Sequence, residues 1–445
     1  MLTSNAVSQA HRSAAQLYIE RLQRSPEEIE RLRVAASDVG TNIVQPTFVS
    51  DASYTLVERA VDRVSAAVVR IATRLATDRA FLRDVGLSEQ DAELVTLEPH
   101  LFKGRLCGRW DGMLTPDGGY KLLEYNGSPA GMMIAQSLMR GVALRDAFSK
   151  SEAAAAVAER VDVSFPDYLP SLHATIARVL EGGRYAVAFV TPMPMPQAES
   201  FLGQQIAPLG IDLIEASPDE ITYDGKTVVA RGKPIKLVIM QRDDRVALLR
   251  SRDSALASAL HDGAVALFNG GIAVDLLSDK TNFTVLTDEK YLDMFDEPMH
   301  EAIRAHVPWS RVVKETKTTY EGAAIDLLEY IARHRADFVI KPCEGYGGTG
   351  VVVGEHATDG EWRAAIEGAT RSAHIVQRNV SCDTLPYAVA QGPGALAIEE
   401  LRYDVCPYAW DDATASGGIS RTTKGALHNL AQGNEPTIFA VVRNR

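Results

Sequence analysis

The stretch that most constrains this chain is Asp337–Val353, DFVIKPCEGYGGTGVVV. Phe338 to Ile340 and Val351 to Val353 are short apolar runs rich in β-prone residues, so the segment reads as strand, loop, strand. Between them Gly345, Gly347, Gly348 and Gly350 remove side chains from the backbone. Such a loop lets N–H groups approach a ligand closely, and loops of this kind cradle phosphates. Lys341 ends the first strand, within reach of the same anion.

Three familiar phosphate loops fail against this segment. Gly345, Gly347 and Gly350 match the spacing G-x-G-x-x-G. The dinucleotide fingerprint, however, needs a helix directly after the loop, and three valines argue for a strand. A protein-kinase loop needs its lysine on a later strand, with H-R-D and D-F-G signatures, and neither occurs. A Walker A loop ends in Gly-Lys-Ser/Thr, and this one does not. A lysine-bearing strand, a flexible glycine loop and a return strand remain, the arrangement of an ATP-grasp nucleotide clamp. A glycine-rich hairpin without a ligand is the plainer alternative.

A second informative region runs from Arg105 to Gly131. Thr115-Pro116-Asp117-Gly118-Gly119 is a turn by composition, and its flanks read as paired strands. Glu124 and Asn126 are two residues apart and face the same side. Asp111 lies on the partner strand, where a hairpin brings it opposite them. Two carboxylates and an amide oxygen are hard donors suited to Mg²⁺ carrying nucleotide phosphates. On these residues alone, a polar face on a hairpin remains open as well.

The rest of the chain supplies a scaffold. With 445 residues, about two to four domains are expected. The first hundred residues read as helical. Ser25-Pro26-Glu27-Glu28 is a helix start, with Ser25 as N-cap and Glu28 closing a capping box. Val57, Val61, Val64, Val68, Ile71 and Leu75 form one apolar stripe of a core-facing helix. Residues 181–275 read as an α/β unit, with strands over Tyr185–Val190, Ile211–Ile214 and Ile235–Met240 and a tight turn at Tyr223-Asp224-Gly225-Lys226. Lys280 sits at a strand-to-helix transition. A helix is expected over Ala323–Arg333, and another from the capping box Thr358–Glu361 to about Arg371. Strands are expected over His374–Val380 and Ala397–Tyr408, and then a polar, glycine-punctuated end containing Arg421, Lys424, His428 and Asn429.

Charge and cysteine usage narrow the function classes. A net charge of −12 gives no support for nucleic-acid binding or an anionic membrane surface. No apolar run is long enough to span a bilayer, and the N-terminus lacks the pattern of a signal peptide. Cys107, Cys343, Cys382 and Cys406 are scattered and argue for neither a zinc site nor a disulfide framework. A cytoplasmic location is the expectation.

Together these segments resemble the circularly permuted ATP-grasp ligases, the group containing glutathionylspermidine synthetase. In that family a strand pair with R-x-D and then E-x-N precedes the nucleotide-binding lysines. Arg109-Trp110-Asp111 and Glu124-Tyr125-Asn126 fit those motifs. Asp279-Lys280 fits the first ATP lysine, Lys341-Pro342 the second, and Gln377 the position near adenine. The resemblance implies an α/β ATP-grasp fold. Residues 1–100 would be a helical N-terminal region, 101–150 the metal-binding strand pair, 181–275 a substrate-side subdomain and 276–445 the nucleotide-binding region. It implies ATP and Mg²⁺ as cofactors and small carboxylate and amine substrates, with the oligomeric state left open. Asp111, Glu124 and Asn126 would hold Mg²⁺, Lys280 and Lys341 the phosphates, and Arg109 the substrate carboxylate and developing oxyanion. The chain departs from glutathionylspermidine synthetases in carrying Gly127-Ser128-Pro129 where they tend to carry Asp-Thr-Pro, and it has no recognisable amidase domain. An ATP-dependent small-molecule kinase and a nucleotide-binding protein without turnover are the other classes.

Overall fold

The long helix Asp51–Thr77 is the element against which the sheets are laid. Ser50 caps it, its hydroxyl accepting from the Ser53 N–H. All six residues of its apolar stripe, Val57 through Leu75, are buried in the largest core cluster. Each such side chain contributes about 1.5–3 kcal/mol relative to exposure. The structure, a computed structural model, describes residues 4–86, 108–127, 131–190, 196–240, 253–268, 278–345, 347–410, 414–425 and 434–445.

Two antiparallel sheets bear on the site. The larger has the strand order Thr384–Gly392, Ala395–Tyr403, Thr414–Thr423, Cys406–Trp410, Gly108–Leu114, Tyr120–Asn126, with Glu435–Thr437 beside Thr414–Thr423. The smaller has the order Ser310–Val312, His374–Arg378, Phe338–Pro342, Val352–Val353. Val339 pairs with Val353 across the glycine loop and with Gln377 on its other side. A third sheet runs through residues 186–267. Its strands Leu213–Ala216, Ala186–Val190, Lys233–Met240 and Ala266–Leu267 are parallel, and Ile221–Tyr223 and Val228–Ala230 form an antiparallel margin. The N-terminal region includes a strand, Thr47–Ser50, which pairs in parallel with the C-terminal strand Phe439–Arg443. Among the described residues no helix is long and apolar enough to cross a membrane.

Several local expectations need correction. Ser25 caps the helix Pro26–Ser37, accepting from the Glu28 N–H at 3.4 Å, but Glu28 does not return the bond. Its carboxylate is buried and accepts instead from the Ala153 N–H, at the start of the helix Glu152–Ala158. Ala323–Asp326 is a strand, not the start of a helix. It pairs with Lys317–Tyr320 through a turn at Glu321 and Gly322, both with positive φ, and the helix is only Leu327–Arg333. The single strand expected over Ala397–Tyr408 is two strands, broken at Asp404 and Val405. There the Asp404 N–H donates to the Arg421 carbonyl and the Val405 N–H to the Gly112 carbonyl. The polar segment containing Arg421 is a ten-residue strand, Thr414–Thr423. His428 and Asn429 lie outside the described residues, as do Cys107 and Tyr346.

Candidate active site

The hairpin supplies one wall. Its register sets Arg109 opposite Asn126 and Asp111 opposite Glu124, with a bulge immediately after Asp111. Trp110, between Arg109 and Asp111 in sequence, points to the other face and is fully buried. Its indole N–H donates to Ser65 Oγ of the long helix at 2.8 Å, and its ring lies 4.7 Å from Tyr125. That apolar anchor turns the polar face of the hairpin away from the helix. Gly112 is required at the bulge, because a Cβ there would lie 2.3 Å from the Tyr120 hydroxyl. That hydroxyl donates to the Val405 carbonyl.

The second wall is the clamp. Gly345, Gly347, Gly348 and Gly350 have φ values of 112°, 77°, 67° and 74°, a backbone region that strongly favours glycine. The loop starts beside Lys280, whose backbone N–H donates to the Cys343 carbonyl at 3.0 Å. Lys280 opens the helix Thr281–Thr287, and Phe283 of that helix packs against Trp110. The Lys280 ammonium lies 3.1 Å from Glu124 Oε1 and donates to the Gly345 carbonyl at 3.2 Å. Three segments far apart in sequence thus meet at one side chain.

Lys341 is held differently. Its ammonium donates to Gln377 Oε1 at 2.6 Å, and the Gln377 amide donates in turn to Ser310 Oγ at 3.2 Å. Burial lowers its pKa to about 8; the Glu124 charge opposes that shift and the Lys280 charge adds to it. An ammonium bonded to a neutral amide beside a second ammonium is poised to gain from an anion.

Behind Glu124 lies a buried ionic network. Arg109 Nε and Nη2 donate to Asp111 Oδ1 and Oδ2 at 2.6 and 3.2 Å. Arg421 Nη2 lies 2.9 Å from Asp111 Oδ2 and 2.6 Å from Asp404 Oδ2. Asp404 also accepts from the Arg421 backbone N–H at 2.6 Å and from Nε at 2.7 Å. All four side chains are at most 10% exposed. Burial opposes ionisation of Asp111, yet Arg109 and Arg421 outweigh it and hold its carboxyl well below the usual range. Burial likewise opposes charge on the two arginines, and the carboxylates overcome it. Burial, then the Asp404 and Asp111 charges, pushes the Cys406 thiol up.

A divalent cation finds two suitable donors here. Glu124 Oε1 is on the partly exposed rim, and the buried Asn126 amide has its Nδ2 without a hydrogen-bond partner. The Glu124 carboxylate and the Asn126 Oδ1 are hard oxygen donors, whereas Nδ2 is an N–H donor and would not ligate the ion. Asp111 has each oxygen engaged by a guanidinium, so it neighbours the donors as a member of the arginine network. Among the described residues no three His, Cys, Asp or Glu side chains converge as a metal cluster; the candidate donors are the Glu124 carboxylate and the Asn126 amide oxygen, with Asp111 beside them.

No sequence motif marks Arg421, Asp404 or Ser310. Arg421 stands in a stretch distinguished only by its polarity and glycines. Nothing local to Asp404 or Ser310 announces a role.

No family model matches the sequence, and no curated protein sequence matches it. Solved structures do. A glutathione synthetase-like effector from Globodera pallida, in its apo form, superposes with a TM-score of 0.61 at 12% identity, covering 93% of this chain and 96% of that one. D-alanyl-alanine synthetase A from Vibrio cholerae O1 biovar eltor is 10% identical over 57% of this chain and 87% of that one. Its TM-score of 0.28 carries no argument. The chain therefore has a mixed α/β fold of the ATP-grasp type, with the topology of a glutathione synthetase-like protein.

Proposed function

We propose that the protein is an ATP-dependent ligase joining a small carboxylate to an amine. The observation that carries this reading is the meeting of Lys280 with Glu124 and the Gly345 carbonyl. It brings the E-x-N strand, the first lysine and the glycine loop to one point. In this reading Lys280 and Lys341 bind the phosphates of ATP, the glycine loop lies over them, and Gln377 orients Lys341. Glu124 and Asn126 would hold Mg²⁺, with Asp111 behind them; when bound, the ion neutralises phosphate charge. The carboxylate oxygen attacks the γ-phosphorus and ADP leaves, giving an acylphosphate. The amine nitrogen then attacks the acyl carbon, phosphate leaves and the amine loses a proton. Arg109 and Arg421, each paired with a carboxylate, would present oriented guanidinium groups where the oxyanion develops. The chain order, hairpin before clamp, supports a circularly permuted arrangement.

The test is ADP release from ATP across a panel of small carboxylates, with hydroxylamine as the trapping amine. A ligase yields a hydroxamate with one acid or a related few. ADP formation with a stable phosphorylated product and no hydroxamate would make the protein a kinase. Nucleotide binding without ADP release across the panel would make it a binding protein.

A further inference from the structure

A groove of about 920 Å³ lies apart from the clamp. None of Lys280, Lys341, Gln377, Asp111, Glu124 or Asn126 lines it. Arg378 does, and it follows Gln377 on an unbroken stretch of strand, so its side chain leaves the small sheet on the face opposite Gln377. The floor is apolar, built by Leu286, Leu292, Ile303, Val307 and Trp309. Such a volume, mostly apolar with a few polar groups converging on it, is the usual form of a small-molecule site.

Lys121, Arg304 and Arg378 line this space along with Asp117, Glu289 and Glu321, and Arg304 is paired with Glu297 at 2.8 Å. Lys121 comes from the hairpin, its ammonium donating to the Ala305 carbonyl at 2.5 Å. Arg378 extends from the small sheet, half-exposed, with Nη1 3.0 Å from Glu321 Oε1. Lys121 and Arg378 line the same groove. Lys121 has a lowered pKa, chiefly from burial, with Asp117 opposing the shift and Arg378 adding to it. Glu321 is exposed at the tip of its own turn, and a solvent-exposed ion pair of this kind contributes little, so it is a displaceable partner for Arg378. An anionic group in the groove could meet Lys121 and Arg378 while an attached apolar body covered Trp309 and Leu292.

We infer that this groove is a second ligand site, taking an organic anion with a flat apolar body, distinct from the nucleotide clamp. A ligand there would touch the hairpin, the helix that follows Lys280 and the strand that carries Gln377, and so bridge three elements of the clamp from behind.

The test uses the full chain and the aromatic sulfonate 8-anilinonaphthalene-1-sulfonate, followed by its fluorescence. Saturable binding is expected, and saturating Mg·ATP should not displace the dye. Arg378→Gln should weaken binding about tenfold, the scale of one charged hydrogen bond. Glu321→Gln should strengthen it by releasing Arg378, and Leu292→Glu should weaken it by setting a like charge on the floor. The uncharged analogue N-phenyl-1-naphthylamine should bind much more weakly. All three substitutions are at exposed or half-exposed positions, and unchanged thermal melts would show that the fold is intact. Absence of saturable binding, displacement by ATP, or indifference to Arg378→Gln and Glu321→Gln would each overturn the site.

Discussion

Lys280 and Glu124 face one another at 3.1 Å across the gap between the clamp and the hairpin. Without ligand, the carboxylate expected to bind a cation neutralises the lysine expected to bind phosphate. In the proposed reading nucleotide phosphate would replace Glu124 as the partner of Lys280, and metal would replace Lys280 as the partner of Glu124, so binding of either should favour the other. Glu124→Gln should raise the Mg²⁺ concentration for half-maximal activity. It should also leave nucleotide affinity in chelator unchanged or higher, because Lys280 loses its carboxylate. Calorimetry with and without Mg²⁺ separates the two effects. A variant with wild-type Mg²⁺ dependence would remove Glu124 from the metal site.

If Lys341 binds nucleotide phosphate as proposed, affinity should depend on pH. Its pKa in the free fold is near 8, below the ordinary lysine value, and a bound phosphate favours the charged form. Affinity should then be level below pH 8. Above it, affinity should fall by up to about tenfold per pH unit, as the free lysine must take up a proton on binding. The same shift acts on stability with its own sign. The unfolded chain holds the lysine proton more tightly, so this group's penalty to folding is full below pH 8 and is relieved between about pH 8 and the unfolded value near 10.5. Lys341→Met should flatten the affinity profile and bind nucleotide more weakly at pH 7. A steep profile surviving in that variant would assign the titration to another group.

Asp404 should matter for stability more than its distance from the loop suggests. It takes two side-chain bonds and one backbone bond from Arg421. Asp404→Ala leaves that buried guanidinium with Asp111 and should cost about 3–5 kcal/mol in denaturant unfolding. Removing the cation as well, in Asp404→Ala with Arg421→Met, should recover much of the loss. A double variant as unstable as the two single costs combined would show that the residues do not act as a pair.

The parts of this architecture legible in sequence are those set by local rules. Strand periodicity and a turn found the hairpin that brings Asp111 opposite Glu124. Apolar residues at helical spacing found the long core helix, and a reciprocal capping box marks the start of Asp359–Arg371. What escaped depends on distant approach. Gly417 and Gly418 read as chain breakers, yet they lie inside a strand. A Cβ at Gly417 would fall 2.8 Å from the Tyr168 ring, and one at Gly418 would fall 2.4 Å from the Cys406 carbonyl. Their neighbour Arg421 meets Asp111 because only the strand Cys406–Trp410 lies between their strands in the sheet, although the two residues are far apart in the chain. Glu28 satisfied a local capping pattern, and a helix from elsewhere in the fold took its carboxylate.

Arg109 is where geometry sharpens the chemical question. Its fork is committed to Asp111, and Arg421 holds the same carboxylate from the other side. Asp111 and Asp404 offset the two guanidinium charges, so what the network fixes is oriented guanidinium groups rather than net charge, a form of preorganisation that can still favour a developing oxyanion. If the Arg109 guanidinium acts on the reaction, Arg109→Ala should bind ATP nearly as wild type and turn over about a hundred- to a thousandfold more slowly. Arg109→Lys should rescue poorly, because an ammonium cannot occupy both oxygens of Asp111 as the planar fork does. A merely structural arginine predicts another pattern: a lowered melting temperature, but normal single-turnover ADP formation in the molecules that remain folded. Measuring the rate, the ATP affinity and the melt on the same two variants distinguishes these outcomes. Near-normal single turnover in Arg109→Ala would assign the residue to holding Asp111 and leave Arg421 to meet the oxyanion.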